Sequence, residues 1–244
     1  NGAARTRPPD HHVQWDALYR MKSLDDVEEA IGFPLDMLRE IADHDTDDAF
    51  WEVINQWPMH ETITVPAMHT AGWFDHVSMG QFEAYERIRD LGATVAARNG
   101  QRLFVGPWYH IITKTGPEHR RFGTWDFGEA ADVPVRDYHR RFFDLHLKDI
   151  DDGISTEPPV RVFLMGENRW IDLPDWPPEA EEQRWNLSSD GNAHGQRGDG
   201  TLSRTSPTST THDSLVYDPE HPVPTCGGQI FWNMAGGGPQ DQRH

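Results

Sequence analysis

Two eight-residue words constrain this chain more than any other feature: HTAGWFDH at 69–76 and LFVGPWYH at 103–110. In each, a run of apolar or small residues stops at a glycine and a tryptophan follows. Each then reaches a side chain that can hold or move a proton, Asp75 in the first and His110 in the second. Between them Met79, Phe82, Tyr85, Ile88 and Leu91 recur at helical spacing behind Ser78, a candidate N-cap, and Gly92 closes the run. Ile63, Val65 and Ala67 open a run that suits a buried strand, with Pro66 marking an edge or bend at its start, and RLFVG at 102–106 suits a second strand. Strand, loop with Asp75, helix, strand, loop with His110 is one β-α-β unit. Its strands are parallel, so both side chains emerge at the carboxyl end of the sheet, where open α/β sheets bind ligands.

The flanks read differently. Ser23 and Asp26 have the form of a capping box, followed by Leu24, Val27, Ala30 and Ile31 at helical spacing. A second helix is predicted from Pro34, with Leu35, Leu38 and Ile41 on one face, and a third over DTDDAFWEVINQW at 45–57. VRDYHRRFFDLHLKDI at 135–150 predicts a further helix and PPVRVFLMG a further strand. Beyond Pro174 the chain turns Gly-, Ser- and Thr-rich, with short apolar runs such as SLVY and QIFW, the texture of an all-β module.

Composition removes several partners. Twenty-two Lys and Arg against forty Asp and Glu leave a net charge of −18, which repels nucleic acid and anionic membranes alike. No apolar run approaches the ~20 residues of a membrane span. The single Cys226 excludes an internal disulfide and a Cys-based zinc cage, and leaves the redox compartment open. Fourteen His residues include no H-E-x-x-H, and HDTDD at 44–48 and DIDDG at 149–153 lack calcium-loop spacing, so they read as caps and turns. No metal and no cofactor is expected. RGD at 197–199 reads as a chance tripeptide in an exposed loop, and Trp170 and Trp176 as packing at a domain junction.

An imidazole that takes a nucleophile's proton and a carboxylate that holds its tautomer are two of the three parts of a Ser-His-Asp hydrolase. Taken singly, an Asp at a strand end is usually a loop cap and a His after a strand a solvated loop residue. The pairing of the two at one sheet end, in the chain order acid then base, is what points to chemistry.

The words around them resemble the C-terminal half of the X-Pro dipeptidyl-peptidase and cocaine-esterase-like hydrolase family, which also includes glutaryl cephalosporin acylases and α-amino acid ester hydrolases. GWFD is similar to the family's Gly-Trp-aromatic-Asp and GPWYH to its Gly-Pro-Trp-x-His. FFDLHLK at 142–148, PPVRVFLMGENRWIDLPDWPP at 158–178 and YDPEHPVPTCGG at 217–228 follow in family order. The resemblance runs from about Asp47 onward. It implies the C-terminal part of an α/β-hydrolase over 61–175, preceded by the remnant of a helical cap over 1–60. Part of an all-β, galactose-binding-like jelly-roll follows over 176–244. It also implies Asp75 as triad acid, His110 as base, and His76 and Val77 along the acyl pocket.

One element of the family pattern is missing: the nucleophile Ser on a G-x-S-x-G elbow occurs nowhere in these residues, and HVSMG around Ser78 lacks the first glycine. The chain is therefore expected to be a fragment of a serine hydrolase of esters or amides, inactive alone. The substrate is a small-molecule ester or amide, and homo-oligomerisation stays open. The alternative is a noncatalytic β-sandwich binding module.

Overall fold

The computed structural model describes residues 15–110, 120–195, 197–208, 211–223, 226–229 and 237–241. In chain order its helices are α1 (Trp15–Leu18), α2 (Leu24–Ile31), α3 (Asp36–Asp43), α4 (Ala49–Glu52), α5 (Ser78–Leu91), α6 (Val95–Asn99) and α7 (Val135–Lys148). The strands are β1 (Ala67–Gly72), β2 (Gln101–Gly106), β3 (Arg121–Phe122), β4 (Trp125–Asp126), β5 (Val160–Leu164), β6 (Arg169–Leu173), β7 (Asn186–Ser188) and β8 (Thr201–Ser203). Two compact units divide them, one of residues 1–55 with 182–224 and the other of 56–181 with 225–244. Among the described residues no helix is long and apolar enough to cross a membrane.

The second unit is an α/β layer structure. Its sheet has the order β1-β2-β5-β6, with β1, β2 and β5 parallel and β6 turned back antiparallel on β5. Side chains alternate between faces along each strand. Leu103 and Val105 of β2, Ala71 of β1 and Val160 and Val162 of β5 meet Phe82 and Tyr85 of α5. Phe104, from the opposite face of β2, packs with Trp108, Val135, Tyr138 and Trp170 beside α7. Phe104 stacks on Tyr138 at 4.5 Å and on Trp170 at 4.9 Å. Each such burial stabilises by about 1.5–3 kcal/mol. The β-α-β unit read from the sequence is thus present, its strands paired Ala67 to Gln101 through Gly72 to Gly106.

Several boundaries differ from the sequence reading. The first strand begins at Ala67, and Ile63 and Val65 precede it, Val65 largely exposed. Pro66 cannot donate to a ladder and stands just outside. Ser78 is the first residue of α5 and caps nothing. Its hydroxyl donates back to the carbonyls of Gly72 and Asp75. A short helix, α6, lies between α5 and β2, where the sequence pattern predicts none. Its N-cap is Thr94, whose hydroxyl accepts from Ala97 N–H at 3.0 Å. Trp170 and Trp176 both pack inside the sheet unit, Trp176 on Trp73 and Phe82.

In the first unit α2 opens on Ser23, whose hydroxyl accepts from Asp26 N–H at 3.1 Å, and ends at Gly32 with a left-handed φ of 64°. The third predicted helix shrinks to the single turn α4, capped by Asp48, which accepts from Phe50 N–H at 2.9 Å. The second starts at Asp36, two residues after Pro34. β7 and β8 form an antiparallel hairpin. SLVY at 214–217 is not a strand, and Ile230 to Trp232 of QIFW lie outside the described residues. The RGD loop is exposed.

One core histidine makes stability depend on pH. His69 is buried on the α5 face of β1, its Nε2 2.8 Å from Gln101 Oε1 and its ring edge-on to Tyr85. Burial pushes its pKa below the ordinary value, and His139 and His146 are lowered for the same reason. Below the unfolded-state pKa of about 6.5 the unfolded chain binds protons that the folded chain refuses, so stability is intact above that pH and is lost as pH falls. The urea midpoint is expected to drop from pH ~7 to ~5, and His69→Gln, which keeps a partner for Gln101, is expected to reduce that slope. An unchanged slope in the variant would refute His69 as a contributor.

Candidate active site

β1 and β2 end level, Gly72 beside Gly106, and their loops run on side by side. Trp73 N–H donates to Gly106 O and Phe74 N–H to Trp108 O, each at 2.9 Å. The matched glycines follow from this approach. A Cβ on Gly72 would stand 2.2 Å from the Trp108 carbonyl oxygen, and one on Gly106 2.4 Å from the Trp108 ring. Only glycine lets the two backbones close in this way. The tryptophans then anchor each loop. Trp73 Nε1–H donates to Phe163 O at 2.8 Å, and Trp108 packs against Phe104 and Trp170.

Past these anchors the two loops deliver Asp75 and His110 to one place. Asp75 is 6% exposed, and its Oδ1 accepts from Val77 N–H at 3.0 Å, which fixes the carboxylate plane. His110 Nδ1 lies 3.1 Å from Oδ2 and 3.2 Å from Oδ1. A carboxylate accepts only, so Nδ1–H donates, and in the neutral imidazole that tautomer leaves the lone pair on Nε2. His110 is partly exposed.

The other two sequence-selected residues, His76 and Val77, sit at the same end. Both are exposed, and His76 Nδ1 lies 3.3 Å from Asp75 Oδ1, so one buried carboxylate faces two imidazoles. Val77 also supplies the backbone donor just described. Sequence reading placed His76 along a pocket and missed its approach to Asp75. The adjacent Asp-His pair was the only available signal, since in a tight turn consecutive side chains can converge.

The aromatic bed under the dyad was not legible either. Phe74 meets Phe122 at 5.1 Å, and Tyr109 stacks on Phe122 at 5.0 Å, with Phe127 and Phe163 completing the cluster. Burial pushes the Tyr109 phenol up, so it stays protonated and serves as wall. Ser78, the serine nearest in sequence to the acid, is buried and spends its hydroxyl on backbone carbonyls.

Comparison with known proteins gives this arrangement a context. The profile of the X-Pro dipeptidyl-peptidase (S15 family) matches residues 1–112, and that of the X-Pro dipeptidyl-peptidase C-terminal non-catalytic domain matches residues 152–230. Cocaine esterase from Rhodococcus sp. (strain MB1 Bresler) is 32% identical over 211 residues, which are 85% of this chain and 35% of that protein. Over most of its length the chain is similar to the X-Pro dipeptidyl-peptidase and cocaine-esterase-like family. In fold it is similar to an aminopeptidase from a marine sediment archaeon, Thaumarchaeota archaeon. That match has a TM-score of 0.57 and 24% identity, and covers 86% of this chain and 33% of that one. The chain thus spans about a third of the length of each of these two proteins. Its architecture is that of an α/β-hydrolase part followed by a C-terminal β part.

Proposed function

We propose that these residues carry the acid and the base of a serine hydrolase that cleaves ester or amide bonds through an acyl-enzyme. The observation behind this reading is the Asp75–His110 pair at the carboxyl ends of adjacent parallel strands, with Nδ1 turned to the carboxylate. His110 Nε2 takes the proton of a serine hydroxyl as the oxygen attacks the acyl carbon, then returns it to the leaving group. A water activated by the same nitrogen hydrolyses the acyl-enzyme. Asp75 holds the tautomer and stabilises the imidazolium that forms in each half-reaction.

In this reading the nucleophile and the oxyanion donors come from polypeptide outside the 244 residues. No G-x-S-x-G occurs in the sequence, and Ser78 is buried with its hydroxyl committed. Residues 1–60 then belong to a helical cap, 61–175 to the hydrolase body and 176–244 to a jelly-roll that takes no part in the chemistry. His76 and Val77 border the acyl pocket. Cocaine esterase among the relatives favours a small ester, while the family model favours an X-Pro peptide, and a side-chain amide of a β-lactam suits the same machinery.

The test compares residues 1–244 with the same protein extended N-terminally through a G-x-S-x-G elbow. The extended protein is expected to hydrolyse p-nitrophenyl esters or an X-Pro anilide and to be labelled stoichiometrically by a serine-directed phosphonate, and residues 1–244 alone to do neither. No turnover of any of these by the extended protein would overturn the hydrolase reading. Phosphonate labelling of residues 1–244 would show that one of their own serines is the nucleophile.

A further inference from the structure

The reaction as derived uses one imidazole on Asp75, and the structure supplies two. His76 Nδ1 and His110 Nδ1 approach the same carboxylate, at 3.3 Å from Oδ1 and 3.1 Å from Oδ2, and their rings are 5.8 Å apart at an interplanar angle of 58°. One ligand atom from each of Asp75, His76 and His110 can be chosen so that all three lie within 4.8 Å of one another. Two imidazole nitrogens and one carboxylate oxygen are a donor set for zinc and its neighbours, at metal–ligand distances of about 2.0–2.2 Å. The edge of a tetrahedron of that size is about 3.3–3.6 Å by geometry. The two His–Asp separations stand at or just under that edge and the ligand atoms of the two imidazoles lie within 4.8 Å, so binding requires rotation of two partly exposed rings toward each other.

The surroundings suit such an ion. The carboxylate is buried and fixed by Val77 N–H, which is the outer-shell support that orients a ligating oxygen. Both imidazoles are partly exposed, so an ion has an entry path.

We infer that Asp75, His76 and His110 form a binding site for a divalent transition-metal ion of the zinc type, and that the ion switches the base off. The ligand set stands on geometry alone, whereas the consequence rests on the hydrolase reading. When the ion takes the Nδ1 lone pair of His110, the ring's remaining proton moves to Nε2. The hydrogen bond to Asp75 is exchanged for the metal bond, and the nitrogen that accepts the serine proton becomes a donor. No proton is lost from the ring and no redox step is involved.

The experiment titrates ZnCl2, with MgCl2 as the hard-cation control, into the elbow-containing protein and reads binding by calorimetry and ester hydrolysis in parallel. Co2+ as the probe adds visible absorption from a four- or five-coordinate site. One zinc per chain is expected to bind at this site, to inhibit hydrolysis in proportion to occupancy, and magnesium to do neither. His76→Ala is expected to weaken zinc binding by at least about tenfold and to raise the zinc concentration for half-inhibition by the same factor, each relative to the variant's own zinc-free rate. His76→Cys, which restores a ligand, is expected to recover most of the affinity. Circular dichroism of both variants checks that the exposed substitution leaves the fold intact.

Zinc binding that His76→Ala leaves unchanged overturns the site. Hydrolysis that zinc does not affect overturns the switch while the hydrolase reading stands. Saturable binding that depends on His76, in a protein with no hydrolytic activity, sustains the site and removes the hydrolase reading.

Discussion

Replacing His110 by alanine in the elbow-containing protein is expected to lower kcat for ester hydrolysis by about 10⁴–10⁶-fold, with far-UV circular dichroism unchanged. The size of the effect follows from the proposed role, in which removing Nε2 leaves the serine hydroxyl at its own weak nucleophilicity and the leaving group without a proton donor. The fold survives because His110 lies partly exposed beyond the strand ends, and the core on either face of β2 does not include it. Asp75→Asn is expected to cost on the order of 10⁴-fold for a different reason. The amide keeps an oxygen for Val77 N–H, yet its NH₂ can face His110 and donate to Nδ1, which drives the ring proton to Nε2 and disables the base. KM is expected to change little in either variant, since neither side chain is assigned to bind the resting substrate. His110→Ala within tenfold of wild type would remove it from the mechanism.

Much of this site was legible in the sequence because it depends on backbone geometry that few residues permit. A run ending at a glycine with a tryptophan just beyond it, twice, with a helical repeat between, leaves little but parallel strands whose ends meet, and that arrangement puts Asp75 beside His110. The elements misread are those where tertiary context outweighs local pattern. Val65 looks like a strand residue by alternation, but the ladder begins only after Pro66. Ser78 looks like a cap by residue type, yet its hydroxyl is drawn to the carbonyl of Gly72 at the end of β1 and that of Asp75 in the loop beyond, which no local pattern encodes. Phe122 and Phe127 reach the site from a short hairpin that carries no periodicity, so only the fold brings them beneath Tyr109 and Phe74. His76 falls between these cases, since its adjacency to Asp75 is visible while the turn that folds its ring back onto the carboxylate is not.

The second large effect concerns the glycine that closes β1. Gly72→Ala is expected to destabilise the chain by about 3 kcal/mol, the upper part of the usual range for over-packing. The added methyl meets the carbonyl oxygen of Trp108 at 2.2 Å and its carbon at 2.7 Å, and backbone held on both sides cannot turn away as a flexible side chain can. Relief requires the two loops to part, which breaks the Phe74 N–H to Trp108 O bond and carries Asp75 away from His110. A displacement of about 1 Å in a catalytic geometry costs roughly 10²-fold, so the elbow-containing variant should lose activity well below its melting temperature, ahead of any unfolding. Gly80→Ala is the control. It lies in the first turn of α5 with nothing within 4 Å of an added Cβ, and alanine there is expected to stabilise by up to about 1 kcal/mol through helix propensity. Thermal melts and kcat on the two variants separate the effects. A Gly72→Ala protein with unshifted melting temperature and full activity would show that the loops are not held as close as Gly72 and Gly106 require.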